Sequence, residues 1–139
     1  MSEREKTPNF NDYLAGIMLA NGFIWILLLV LGFFSSIFTR IPIFLLAGAT
    51  YIIYLSGGII SSYLVSKRAT SRHLAVGLKL AVLSWVLSIV LIPNLGMKSS
   101  IGVALTTLVC FLIGGATGAF LALSSMLRKI SSRGRLKDS

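Results

Sequence analysis

Four long, continuous apolar runs dominate the sequence and limit the folds that are open to it. The runs cover residues 14–38, 42–66, 74–92 and 101–127. A helix needs about 20 consecutive apolar residues to cross roughly 30 Å of hydrocarbon, whereas a membrane-spanning strand alternates apolar and polar residues over about ten positions. The runs therefore predict an all-α polytopic membrane protein with four transmembrane helices.

The spacing of the runs predicts a single membrane domain with short ends. Residues 1–13 form an N-terminal segment, residues 14–127 hold the four helices, and residues 128–139 form a basic tail. The connections between the runs are too short to hold a separate soluble domain. Of the 139 residues, 55% are hydrophobic and 12% are charged, whereas soluble domains average about 45–50% apolar and about 25% charged residues. This composition disfavours a soluble enzyme, a disordered chain and a nucleic-acid-binding domain.

Basic residues are distributed unevenly between the two sides of the predicted helices. The chain has 13 Lys and Arg against 4 Asp and Glu, which gives a formal net charge of +9. Ten of the basic residues fall on one side: Arg4, Lys6, Lys67, Arg68, Arg72, Arg128, Lys129, Arg133, Arg135 and Lys137. Short loops rich in Lys and Arg mark the cytoplasmic side of a membrane protein. The sequence thus predicts a multi-pass protein of the cell membrane with both termini in the cytoplasm.

Some of these cations lie directly beside predicted helix ends, within reach of lipid headgroups. They are Lys67, Arg68, Arg72, Arg128 and Lys129. Each basic residue near the surface adds about 1 kcal/mol of attraction to anionic lipid. The bilayer and its anionic headgroups are therefore expected partners, and a nucleic acid is not. The alternative is that these residues serve only as a topology signal.

Few polar side chains interrupt the predicted spans. Asn21 lies in the first span, and Lys79 is the only charged residue within any of them. A buried asparagine usually hydrogen-bonds between transmembrane helices, so Asn21 is interpreted as structural, with a pore-lining amide as the alternative. Lys79 lies on the face opposite Gly77 and Ala81, which indicates a lipid-facing lysine whose ammonium snorkels to the headgroups. An anion site or an intramembrane partner is the alternative for Lys79.

Small residues recur at four-residue intervals along three of the predicted helices. They are Gly57, Gly58, Ser61, Gly77, Ala81, Gly114, Gly115, Gly118 and Ala122. Such faces allow the backbones of neighbouring helices to approach closely. The pattern predicts tight helix packing, and the contact can be intramolecular, between copies of the chain, or with another protein.

Two stretches resemble known membrane protein families. Residues 57–64 (GGIISSYL), followed by Lys67, Arg68 and later Gly77, resemble uncharacterised small four-helix membrane families that place a double glycine before a short basic loop. That resemblance implies the fold and the membrane location, and no activity. Residues 114–119 (GGATGA) are similar to a glycine motif of small fluoride channels, but the arginine that follows it in that family is absent. Small multidrug exporters need a carboxylate in the first helix, and the predicted spans contain no Asp or Glu.

Two functions from different classes fit this pattern. The first is a non-catalytic accessory or scaffolding subunit of a larger membrane complex, based on nearly uncharged spans, small-residue faces and minimal loops. The alternative is a homo-oligomeric channel or small-solute transporter with a polar path, lined by Asn21, Thr50, Tyr54, Thr107 and Thr117. An enzyme is not expected, because acid–base or nucleophilic catalysis needs positioned titratable groups. The only histidine, His73, is expected to be solvated or lipid-facing at a membrane boundary, and no metal or cofactor is expected.

Overall fold

A computed structural model describes residues 7–94 and 100–137, and these residues are 88% helical, with no strand among them. The helices are α1 (Phe10–Phe33), α2 (Ser35–Phe38), α3 (Ile43–Ser66), α4 (His73–Asn94) and α5 (Ile101–Lys137). All except the single-turn α2 are long and apolar enough to cross a membrane. The structure thus confirms an all-helical chain with four helices of spanning length and composition.

The first span begins earlier and ends earlier than the sequence predicts. The backbone N–H of Asn9 donates a hydrogen bond to the Asp12 carboxylate (3.0 Å), so the helix is capped before Phe10. Asp12, which the sequence places outside the spans, therefore lies in the first turn of α1. At the other end Phe34 leaves helical geometry (φ −107°, ψ 29°), which separates α1 from α2 within the predicted 14–38 run.

The remaining helix ends agree with the apolar runs, with one exception. α3 follows Pro42, whose missing N–H needs no partner at a helix start. α5 does not end with its apolar run at residue 127 but continues to Lys137. The basic tail is therefore helical as far as the structure describes it.

The four long helices form a bundle in which α3 and α4 lie at the centre. α3 packs along α5, α4 also packs on α5, and α3 and α4 touch each other. α1 packs against α3 and α4 and, within the described residues, its backbone does not approach that of α5 closely. The start of α1, the α3–α4 connection and the end of α5 lie together, and we call this the basic end of the bundle.

The buried residues among those described lie nearest the basic end and in the middle of the bundle. Among the described residues, none is buried after Ile24 in α1, before Tyr54 in α3, after Ser88 in α4 or before Thr107 in α5. Toward the opposite end the described side chains are half-buried or exposed. Large apolar side chains are exposed around the whole bundle, as expected for helices whose surroundings are lipid chains.

Candidate functional site

Glycines on α3 and α5, Gly58, Gly114 and Gly118, form the contact between these helices, and we call such a contact a glycine seam. A Cβ atom added at Gly114 would lie 2.9 Å from the Leu55 carbonyl oxygen and 3.2 Å from the Cα of Gly58. A Cβ atom at Gly118 would overlap the Ile59 carbonyl oxygen. The two backbones therefore touch directly, and no larger residue fits at these positions without moving a helix.

A second seam joins α4 to the same helix. A Cβ atom at Gly77 would lie 2.6 Å from the Gly115 carbonyl oxygen, and one at Gly115 would lie 2.9 Å from the Ala81 Cβ. The Ser62 hydroxyl of α3 donates a 2.6 Å hydrogen bond to the Gly115 carbonyl. Three helices thus meet around Gly115.

α1 joins the bundle through close contacts of its own. A Cβ atom at Gly57 of α3 would lie 2.8 Å from the Ala20 carbonyl oxygen. A Cβ atom at Gly16 would lie 2.6 Å from a Val65 methyl and 3.0 Å from a Leu80 methyl. Gly16 is missing from the predicted packing residues, although Gly16 and Ala20 show the same four-residue spacing that identified the others.

The small residues that the sequence marks for packing all lie inside the bundle. Gly57, Gly58, Ser61, Gly77, Ala81, Gly114, Gly115, Gly118 and Ala122 are buried. The seams described above use these faces for contacts within one chain. A partner protein would therefore have to contact other surfaces.

A polar cluster joins α1 to α4 in the middle of the bundle. Asn21 is 4% exposed, and its amide donates to the Ile17 carbonyl (2.9 Å) and lies 3.5 Å from the Ser84 carbonyl. The Ser88 hydroxyl donates a 2.6 Å hydrogen bond to the Asn21 side-chain oxygen. The hydroxyl of Tyr54 interacts with Ser88 and connects α3 to the same cluster. Asn21 therefore acts as a link between helices.

Of the five residues expected to line a polar path, Asn21 and Tyr54 meet through Ser88, whereas Thr117 lies on the outside of α5. Asn21, Tyr54 and Thr107 are buried, Thr50 is half-buried, and Thr117 is exposed on the outside of α5. Each of the three threonine hydroxyls donates to a carbonyl of its own helix. Within one copy of the chain Thr117 therefore lies away from Asn21, because its helical phase turns it away from the bundle axis.

His73 is buried, which corrects the expectation of a solvated or lipid-facing ring. It is 7% exposed, and its Nδ1–H donates to the Ser66 carbonyl (2.7 Å), since a carbonyl can only accept. The Ser66 hydroxyl donates in return to the His73 carbonyl (3.3 Å). These bonds close the connection between α3 and α4, in which Arg72 has a positive φ of 56°. No group of three or more His, Cys, Asp or Glu that could hold a metal occurs among the described residues.

The five predicted headgroup cations have different surroundings. Arg68 forms an ion pair with Asp12, which connects the end of α3 to the start of α1. The Lys67 ammonium lies 5.5 Å from the centroid of the Tyr63 ring, within the range of a cation–π contact. Arg72, Arg128 and Lys129 are exposed. The Asp12–Arg68 pair could not be predicted from spacing, because its partners are 56 residues apart.

Two grooves open on the outside of the bundle, near the basic end. The α1–α4 groove has a volume of about 670 Å³ and is lined by Phe10, Tyr13, Leu14, Ile17, Leu78, Lys79, Val82 and Leu83. The α3–α5 groove has a volume of about 510 Å³ and is lined by Ile59, Ile60, Tyr63, Leu64, Leu121, Ser124, Ser125 and Arg128. Lys79 is exposed in the first groove, on the outer face that its helical phase predicts.

Comparison with family models, with curated proteins and with solved structures finds no match for this chain. The likeness to small four-helix membrane families therefore stays a resemblance. Function has to be argued from the chain's own surfaces.

Proposed function

We propose that this chain is a non-catalytic accessory subunit of a larger complex in the cell membrane. The observation that carries the proposal is the α1–α4 groove, an apolar surface with the cation of Lys79 inside it. The small-residue seams are used within the chain, so this groove is the surface on which we place the partner.

The position of Lys79 supports a protein partner that brings a carboxylate. Lys79 is six residues past His73, about 9 Å along the helix at 1.5 Å per residue, and no ion pair joins it to the described residues. A charge at this depth is costly unless it is paired or reaches the headgroups. A transmembrane helix with an Asp or Glu would fill the apolar groove and neutralise the ammonium. Snorkelling to the headgroups remains the alternative for Lys79.

The distribution of basic residues supports a cytoplasmic location for both termini. The α3–α4 connection and the end of α5 both lie at the basic end, together with the start of α1. Positive charge at helix ends is retained on the cytoplasmic side during insertion. The proposed complex therefore presents its basic end to the cytoplasm.

Site-directed crosslinking in native membranes tests the proposal. A photoreactive group is attached at Leu83→Cys in the groove or, as a control, at Ile113→Cys on the outside of α5, both in a Cys110→Ser background. The two positions are similarly exposed, 45% and 53%. We expect Leu83→Cys to form one protein adduct whose crosslinked transmembrane helix contains an acidic residue. Ile113→Cys should give lipid adducts only.

The role of the charge is tested in the same experiment. Lys79→Gln should abolish the protein adduct at Leu83→Cys, and Lys79→Arg should preserve it. Adducts with lipid alone at both positions, or the same mixture of proteins at both, would refute the proposed docking surface.

The alternative, a homo-oligomeric channel or small-solute transporter, has one observation in its favour. The Ser84 hydroxyl is buried beside Asn21 and has no hydrogen-bond partner among the described residues. A polar atom in that state is costly, and a passing solute could satisfy it. Purified protein in liposomes should then show solute flux that Asn21→Ala changes. An absence of flux across a broad panel of solutes would reject this function.

A further inference from the structure

α5 extends beyond the end of α3 at the basic end. We call the place where α3 ends beside the continuing α5 the step. The two helices run in the same direction, because Gly114 contacts Gly58 and Gly118 contacts Ser62. Continuing this register places residue 122 level with Ser66, the last residue of α3. Arg128 lies six residues further, about 9 Å beyond the end of α3. The α3–α5 groove therefore runs from the hydrocarbon up to this step.

The wall of the groove changes from apolar to polar along its length. Ile59, Ile60, Leu64 and Leu121 form the apolar part. Side chains on a helix tilt toward its N-terminus, so Arg128 leans back from the step toward the groove, which it lines together with Tyr63. An acyl chain would fit the apolar part of the groove, and a polar headgroup would fit the part beside the step.

Two cations beside the upper end of the groove have no acidic partner among the described residues. Lys67 lies over the ring of Tyr63, and Arg128 lines the groove next to the same tyrosine. The neighbouring Arg68 is already paired with Asp12, the only acidic residue within the described ranges. An anion that carries a hydrocarbon chain would therefore complement both the positive charge beside the step and the apolar wall of the groove.

We propose that the α3–α5 groove is a specific binding site for one anionic phospholipid. Its phosphate lies between Lys67 and Arg128, and one acyl chain lies along the apolar wall of α3 and α5. A guanidinium presents two parallel donors to phosphate oxygens, which gives Arg128 the larger share of headgroup recognition. The volume of about 510 Å³ falls within the roughly 300–1,000 Å³ of small-molecule sites. The site is separate from the α1–α4 groove and does not depend on a protein partner.

Lipid titration of the purified, delipidated full-length chain tests this site. Native mass spectrometry counts the lipids bound from phosphatidylglycerol and from phosphatidylcholine at equal concentrations. We expect one tightly bound phosphatidylglycerol per chain and weaker binding of phosphatidylcholine. Equal affinity for the two lipids would overturn the proposal.

Charge variants separate a specific site from general attraction to the basic end. Arg128→Gln should weaken phosphatidylglycerol binding about five-fold, the loss expected for one basic residue near the surface. Arg133→Gln removes the same charge from the same helix, beyond the groove, and should change the affinity less than two-fold. Equal losses in the two variants would show a diffuse charge effect and overturn the proposal.

A variant without a charge change tests the apolar part of the site. Leu121→Trp narrows the groove at a position that is 46% exposed, so the fold should tolerate it, and circular dichroism checks this. The affinity for the first bound phosphatidylglycerol should fall at least five-fold. Unchanged affinity in a folded Leu121→Trp variant would show that the acyl chain does not lie in the groove.

Discussion

At the scale of single residues, small side chains set the distances between the helices. Phe111 and Leu80 are the largest fully buried side chains, and the rest of that group are serine and threonine. Helices in lipid gain little from the hydrophobic effect, so close packing and hydrogen bonds between helices hold them together. Stability should therefore depend on positions where one extra methyl group does not fit.

Gly118→Ala should destabilise the bundle by about 1–3 kcal/mol, the usual cost of overpacking. The new methyl group would overlap the Ile59 carbonyl oxygen, and a backbone atom cannot move aside alone. The measurement is the free energy of unfolding in mixed detergent micelles.

Gly22→Ala is the matched control, because no atom of another helix lies within 4 Å of the added methyl group. It should be neutral or stabilise the protein by up to about 1 kcal/mol, since alanine favours helix more than glycine. Equal destabilisation by the two variants would contradict the glycine seam.

Asn21→Ala should cost about 0.6–2 kcal/mol of unfolding free energy, the range of hydrogen bonds between membrane helices. The change removes the acceptor of the Ser88 hydroxyl and the contact with the Ser84 carbonyl. Thr106→Val serves as the control, because its exposed hydroxyl bonds only to Gly102 of its own helix. A loss for Asn21→Ala no larger than for Thr106→Val would contradict the role of Asn21 as a link between α1 and α4.

The sequence predicts residue roles well where helical periodicity decides them. The spacing of Gly114 and Gly118 identifies the face that is buried, and the phase of Lys79 identifies the face that is exposed. Periodicity carries no information on contacts between distant segments, so the Asp12–Arg68 pair and the burial of His73 could not be derived. Both depend on how α1 and the α3–α4 connection meet in three dimensions.

At the scale of whole helices, hydropathy predicts that a helix exists and capping decides where it ends. The four apolar runs correspond to α1, α3, α4 and α5. Asp12 caps the start of α1 four residues before the apolar run begins. α5 continues into polar sequence because lysine and arginine are good helix formers. Hydropathy alone therefore marks the apolar part of α5 and misses its extension.

Deleting residues 129–139 should reduce the helical signal without weakening the bundle. The deletion removes the nine residues of α5 from 129 to 137. The ellipticity per molecule should therefore fall by the contribution of nine helical residues. The described side chains of residues 129–135 are exposed, so the unfolding free energy should change by less than about 0.5 kcal/mol. An unchanged ellipticity per molecule would mean that the segment is not helical in the membrane.

At the scale of the molecule, buried residues are distributed unevenly along the bundle. The glycine seams, the Asn21 cluster and the hydrogen bonds between Ser66 and His73 all lie in the part of the bundle that holds the buried residues. The α1–α4 groove and the α3–α5 groove also lie there. Contacts with lipid and with a partner are therefore proposed on the part of the bundle where the helices pack most closely.

The proposed orientation predicts opposite labelling of the two ends. In a Cys110→Ser background, a membrane-impermeant maleimide should label Thr39→Cys in intact cells, and Ser132→Cys only after the membrane is permeabilised. Both positions are exposed, so a difference in labelling reports the side of the membrane rather than burial. Labelling of Ser132→Cys in intact cells would contradict a cytoplasmic C-terminus.

The proposed function is tested most directly by the mass of the assembly that contains this chain. The protein is extracted from native membranes in a mild detergent, at its natural expression level, and its native mass is measured. We expect a complex with a fixed stoichiometry that contains at least one other integral membrane protein. A stable monomer, carrying lipid and no other protein, would contradict an accessory subunit.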